Sequence, residues 1–254
     1  DLHSPVKPSA RAIELHNYTH IPYRNWCNIC KAARAREDAH YRKKKSDDEE
    51  QVDGNALPII SLDYQELNED AELPIKVIVG KDEKTGNVLC HKVIAKGLTD
   101  EWAVKKVVMD IEEFGRSNVI LKTDGEPAIK ADQSRIISLR KAQTVPRNPP
   151  AYNPQSNGPC EKAVQDVTSQ LRTLKLGLEN RLKIKIPDDS PIMDWALEHS
   201  CFLLNKFSVG HDGMTAHERA TGKRWRRPIL EIGEAVMAKL SLQRRNRGKT
   251  RKQK

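Results

Sequence analysis

Short apolar runs dominate the chain from Pro58 onward, and their period changes twice. Ile59–Asp63, Lys76–Val79 and Val88–Lys96 have the length and composition of strands. Asp82–Asn87 joins the last two, with Thr85, Gly86 and Asn87 suited to a turn. Three successive strands predict an antiparallel start to a sheet. A helical stripe follows at Trp102, Val104, Val107, Val108, Ile111 and Phe114, with Thr99 as the expected N-cap and Gly115 as the stop. Beyond it the pattern predicts a strand over Asn118–Asp124, a helix over Pro127–Lys141 and a short strand over Thr144–Arg147.

Pro146, Pro149, Pro150 and Pro154 then interrupt regular structure, so a loop able to close over a substrate is expected. Pro159 suits the first turn of the next helix and would put Glu161 near its N-terminus. Val164, Val167, Leu171 and Leu174 supply a buried face. Gln165, Thr168, Arg172 and Lys175 form a polar, increasingly basic side. A further helix is predicted over Pro191–Phe207. This order of strands and helices predicts an α/β fold, an RNase H-like mixed five-stranded sheet flanked by helices.

The two predicted strands Ile59–Asp63 and Asn118–Asp124 each end in an aspartate, at the strand lip where α/β sheets build their sites. Sixty residues separate Asp63 from Asp124, and 36 separate Asp124 from Glu161. Three carboxylates brought together repel unless cations neutralise them, and hard oxygen ligands select Mg²⁺ or Mn²⁺. Asp63, Asp124 and Glu161 therefore make a candidate two-metal phosphoryl-transfer site. His91 falls inside a strand and reads as structural, while Asp110, Glu112, Glu113 and Glu126 read as surface acids.

The loop-to-helix stretch carrying Ser156, Asn157, Gly158 and Glu161 resembles the signature of LTR-retrotransposon integrases, most closely the copia type. That family has an Asp, Asp, Glu triad with about 35 residues between the last two members, one fewer than here. The likeness spans roughly residues 16–236, and Gly213–Trp225, GMTAHERATGKRW, is similar to a further segment of the family. The resemblance implies a metal-dependent polynucleotidyl transferase that trims element 3′ ends with water and joins them to target DNA through the new 3′-OH. It also implies double-stranded DNA as partner, homo-oligomers, a nuclear site of action and no small-molecule substrate. An inactive or repurposed remnant that binds zinc and nucleic acid is the alternative, and an RNase H or a DNA transposase is a third choice.

Ahead of the sheet, His16 and His20 stand four residues apart, followed by Cys27 and Cys30 as C-x₂-C and then by His40. Thiolates and imidazoles at this density read as one closed structural zinc site, with His40 as an alternative to His16. The resemblance supports zinc, since integrases carry an N-terminal His, His, Cys, Cys module. Only six residues separate His20 from Cys27, too few for the family's three-helix module, so a smaller knuckle is expected.

The remaining composition narrows the class. The chain has 254 residues, is 37% hydrophobic and carries a formal charge of +9, which suits one sizeable core and an anionic partner. No apolar run approaches the ~20 residues needed to cross a bilayer and no signal peptide is visible, so no membrane association is expected. A start at Asp1 suggests a fragment or a processed polyprotein product. Five scattered cysteines favour a reducing compartment. The tail RRNRGKTRKQK has seven basic residues and no acid, so Arg244, Arg245 and Arg247 join Asn157, Gln165, Arg172 and Lys175 as candidate DNA contacts, with nuclear import an equal reading of the tail. The expected organisation is a His/Cys segment over 1–40, a charged linker over 41–56, a catalytic core over 57–210, an extension starting a small β module over 211–243 and a disordered tail over 244–254.

Overall fold

The computed structural model describes residues 8–34, 57–67, 75–97, 100–148 and 158–237. Five strands form one sheet in the order β3-β2-β1-β4-β5. They are β1 (Ile59–Leu67), β2 (Ile75–Asp82), β3 (Val88–Lys92), β4 (Val119–Thr123) and β5 (Thr144–Arg147). The first three are antiparallel, and β4 and β5 add in parallel, so the sheet is mixed as expected.

Alternation along each strand gives the sheet two apolar faces. On one, Ile60, Leu62, Ile78, Leu89 and Leu121 pack against α3 (Glu101–Glu113) and α4 (Pro127–Leu139) through Val104, Val107, Ile111, Ile129 and Ile136. On the other, Val77, Val79, Val88 and Cys90 meet α5 (Gly158–Leu182) and α6 (Pro191–Phe207) through Val167, Leu171, Leu174, Leu197 and Leu203. Gly80 is needed where the strands are tightest. A Cβ there would lie 2.4 Å from Leu62 Cδ2 and 3.1 Å from Leu89 Cγ.

Several expected boundaries move. Strand β1 continues four residues past Asp63, because Asp63 to Leu67 still pair with β2, so Asp63 sits within a strand. Strand β3 stops at Lys92, where Ile94 turns fully outward, and α4 stops at Leu139 as Arg140 becomes extended. Asp100 caps α3 by accepting from the Ala103 N–H at 3.1 Å, while Thr99 lies outside the described residues. Trp102, assigned to the buried stripe, is 53% exposed. The expected small β module has no strand among its described residues up to 237. Instead the chain turns at Gly233 (φ 72°), buries Ile232, and offers the Ile232 carbonyl to Arg181.

The segment 8–34 contains α1 (Ala10–Asn17) and α2 (Asn28–Arg34) and is seated on α5. Arg34 donates to Gln170 and to Thr173 Oγ1, and the fully buried Gln170 amide donates to the Thr19 carbonyl at 2.7 Å. After α6 comes α7 (Ala216–Thr221), which begins with a complete capping box of Thr215 and Glu218 and ends at Gly222 in the left-handed region. No helix among the described residues is long and apolar enough to cross a membrane.

Candidate functional site

The candidate carboxylates lie in β1, just past the end of β4 and in the first turn of α5. Ile60, Leu62 and Tyr64 point to the α3/α4 side, so alternation turns Ser61 and Asp63 toward α5. Parallel pairing of Leu62 with Thr123 makes Asp63 and Asp124 the next residues along adjacent strands. The first turn of α5 closes the third side: Cys160 is buried in the core there, and burial first, then the charge of Asp63, push its thiol upward. Glu161 follows Cys160 and is exposed.

The surroundings constrain these groups unequally. Asp63 is buried and accepts from Gln65 Nε2 at 2.7 Å. Asp124 Oδ1 accepts from the Glu126 N–H at 3.1 Å, which closes a turn just ahead of Pro127. Among the described residues, one set of three or more His, Cys, Asp or Glu side chains is gathered tightly enough to hold a single ion.

That set is His16, His20, Cys27 and Cys30. All four are buried, and their ligating atoms lie within 4.8 Å of one another. His16 Nε2 is 3.2 Å from Cys30 Sγ, while His20 Nδ1 is 3.5 Å from Cys27 Sγ and 3.8 Å from Cys30 Sγ. Around a tetrahedral ion with metal–sulfur and metal–nitrogen bonds of about 2.3 and 2.05 Å, each S···N edge is about 3.6 Å. The donor set therefore fits a small tetrahedral cation in both chemistry and spacing.

His16 and His20 do not share a helix, contrary to their i, i+4 spacing. Helix α1 ends at Asn17, and His20 adopts φ 52° beyond it, which swings its ring onto the two sulfurs. Burial, then His16 and Arg34, lower the His20 pKa to about 4; burial, then Arg24 and Arg34, also lower that of His16. Both rings are thus held in the neutral form that ligates metals. Burial raises the Cys30 thiol to about 11, so a cation would have to displace its proton on binding. The other ring nitrogen of His20 faces α5, where a Cβ on Gly177 would stand 3.3 Å from Nε2.

The predicted DNA contacts fare differently. Gln165 and Arg172 are exposed on α5, whereas Lys175 is paired with Asp188 at 2.5 Å. His40, Asn157, Arg244, Arg245 and Arg247 lie outside the described residues, as do the charged linker and the basic tail.

Sequence reasoning missed a second charged cluster. Asp110, read as a surface acid, is 24% exposed and lies 2.5 Å from His91 Nε2; Glu198 lies 3.2 Å from Nδ1 and 3.0 Å from Lys106. Burial alone would lower the His91 pKa, but the hydrogen bonds to Asp110 and Glu198 outweigh it and raise the value to about 9. A histidine in the middle of an apolar strand was the available signal, since a buried imidazole needs partners. All five cysteines are free and buried.

No protein-family model matches the sequence, and neither does any curated protein. Among solved structures, the chain is similar to one from an intasome of simian T-cell lymphotropic virus in complex with the PP2A regulatory subunit B56 gamma. The TM-score is 0.51 at 20% identity, over 84% of this chain and 69% of that one. At this identity the likeness is one of fold, an integrase-core-like mixed five-stranded sheet with helices. Also similar are two structures of the HTLV-2 integrase catalytic core domain in complex with magnesium. The dimeric form matches at 14% identity with a TM-score of 0.46, over 65% of this chain and 95% of that one, and the trimeric form at 15% and 0.48, over 64% and 95%.

Proposed function

We propose that this integrase-fold chain is a retrotransposon integrase, a metal-dependent polynucleotidyl transferase acting on double-stranded DNA in the nucleus. The observation that carries the reading is the integrase-core-like mixed sheet in which Leu62 of β1 pairs with Thr123 of β4, each one residue ahead of an aspartate, while the first turn of α5, which carries Glu161, buries Cys160 close enough to Asp63 to feel its charge. Magnesium or manganese ions held by these carboxylates would supply Lewis-acid activation of the attacking oxygen and charge neutralisation at the departing 3′-oxygen. The side chains themselves position. Gln65 orients Asp63, the Asx turn holds Asp124 at the end of β4, and Glu161 is free to approach from the helix side. No His or Lys is needed as general base. His16, His20, Cys27 and Cys30 would hold one structural Zn²⁺, which fastens the N-terminal knuckle to α5.

A second reading is a remnant that binds zinc and nucleic acid without cutting, for which the buried His16, His20, Cys27 and Cys30 group would suffice. One assay separates the two. Strand transfer on a short duplex with Mn²⁺ is expected for the wild type and absent in Glu161→Gln and in Asp124→Asn, with DNA binding retained in both variants. Equal activity in wild type and variants would remove Glu161 and Asp124 from the site, and no activity in any of them would favour the remnant.

A further inference from the structure

We infer that the loop Lys223–Arg227, just after α7, is a docking surface for the sugar–phosphate backbone of duplex DNA. Its basic residues are exposed and mostly uncommitted. Among the described residues, Lys223, Arg226 and Arg227 have no acidic partner within salt-bridge distance, whereas Arg224 is paired with Glu218 at 2.8 Å. The nearest acid is itself occupied, because Glu218 also accepts from the Thr215 N–H to complete the capping box.

What separates this loop from an ordinary solvated charge run is its anchor. Trp225 packs edge-on against Phe202 at 5.3 Å and His217 at 5.6 Å, and the Lys206 ammonium lies over its ring at 5.2 Å. Thr221 grips both the N–H and the carbonyl of Lys223, and Gly222 in the left-handed region sets the direction of exit. The Arg227 guanidinium rests at 5.5 Å over the same indole. Three cations are thus presented from a fixed backbone. Little of their approach geometry has to be ordered on binding. Guanidinium groups match phosphate oxygens bidentately, and an open groove bordered by Gly222, Lys223, Arg224 and Arg226 leaves them accessible.

Position selects the partner. The C-terminal end of α6 lies beside the first half of α5, where Leu204 and Phe207 border one hollow with Asp166 and Ser169. Trp225 hangs from that end of α6, so the basic loop lies at the end of the α5/α6 pair that also carries Glu161. A duplex engaged at Glu161 can continue across the loop. The choice of DNA rests on the reading in the preceding section, but the contact is testable without catalysis.

The measurement is fluorescence anisotropy of the full chain with a random-sequence duplex across a salt series, without added Mg²⁺ or Mn²⁺. The triple variant Lys223→Gln, Arg226→Gln, Arg227→Gln should bind more weakly and flatten the slope of log K against log salt by up to about 2.7, at roughly 0.9 per phosphate contact. A charge-matched control, Lys105→Gln, Lys130→Gln, Arg135→Gln on α3 and α4, should keep the wild-type slope. Equal flattening in both triples reduces the effect to net charge and overturns the inference. A wild-type slope in the loop variant also overturns it, while strand transfer by the wild type leaves the proposed function standing. If the wild type binds no duplex at all, both fall.

Discussion

Protonated His91 is held between two carboxylates, and this makes stability fall with rising pH in a window that can be computed. Its pKa is about 9 in the folded chain, against about 6.5 unfolded. The contribution is complete below pH 6.5 and is lost as pH rises toward 9, because the unfolded state gives up its proton first. Between pH 6.5 and 8.5 the linkage relation gives a loss of about 2 kcal/mol. Stopping at 8.5 matters: buried thiols such as Cys30 have folded pKa values above their unfolded ones, and they add a loss of the same sign at higher pH. Urea unfolding of wild type and His91→Gln at each pH isolates the term, since groups shared by both proteins cancel in the difference. The variant should be less stable at pH 6.5, where Asp110 and Glu198 lose their cation, and the gap should narrow by about 2 kcal/mol by pH 8.5. A gap that stays constant across the window would mean that His91 is neutral in the fold, and the charged-cluster account would be wrong.

Three further outcomes follow from named contacts. Gly80→Ala should cost about 1–3 kcal/mol in denaturant unfolding, since its Cβ meets the fully buried Leu62 at 2.4 Å and neither strand can move independently. Cys27→Ser with Cys30→Ser should lose one zinc per chain by elemental analysis, and hydrogen exchange should then quicken in α5 around Gln170–Gly177; unchanged zinc content would exclude the knuckle. Deleting Arg244–Lys254 removes seven cations and should flatten the salt slope of DNA binding by at most about 6, at roughly 0.9 per phosphate, while leaving preference among DNA sequences unchanged. An unchanged slope would leave nuclear import as the better reading of the tail.

Short-range chemistry explains what could be read in advance. Helix α6 and strand β5 fall on the predicted residues because Pro191 and the Arg140 exit fix local boundaries that no neighbour overrides. The gathering of His16, His20, Cys27 and Cys30 was legible because soft ligands so close in sequence have few other uses in a short segment. What escaped depends on partners remote in sequence. Strand β1 runs past Asp63 because β2 supplies backbone partners as far as Leu67, although Gln65 and Glu66 break the apolar run that seemed to end it. Asp110 looked like a surface acid on a helix whose apolar stripe lay elsewhere, and only the approach of β3 and α6 turns it into a counter-ion. The described part of the expected β module, up to residue 237, is likewise set by remote partners: Ile232 is buried and Arg181 donates to its carbonyl.

Helix α5 is where these local and remote requirements meet. Its first turn buries Cys160 next to Glu161, its middle buries Val167, Leu171 and Leu174 under the sheet, and its far side receives the His/Cys knuckle through Gln170, Thr173 and Gly177. Each demand restricts the next. Gln170 is buried only because Thr19 and Arg34 satisfy both ends of its amide, and a buried amide without partners costs on the order of 1–3 kcal/mol. Gly177 must remain small because the ring of His20 fills the space a side chain would take. An ion that holds the knuckle together therefore also keeps the polar seat on α5 satisfied. Losing such an ion should be felt along the helix that carries Glu161.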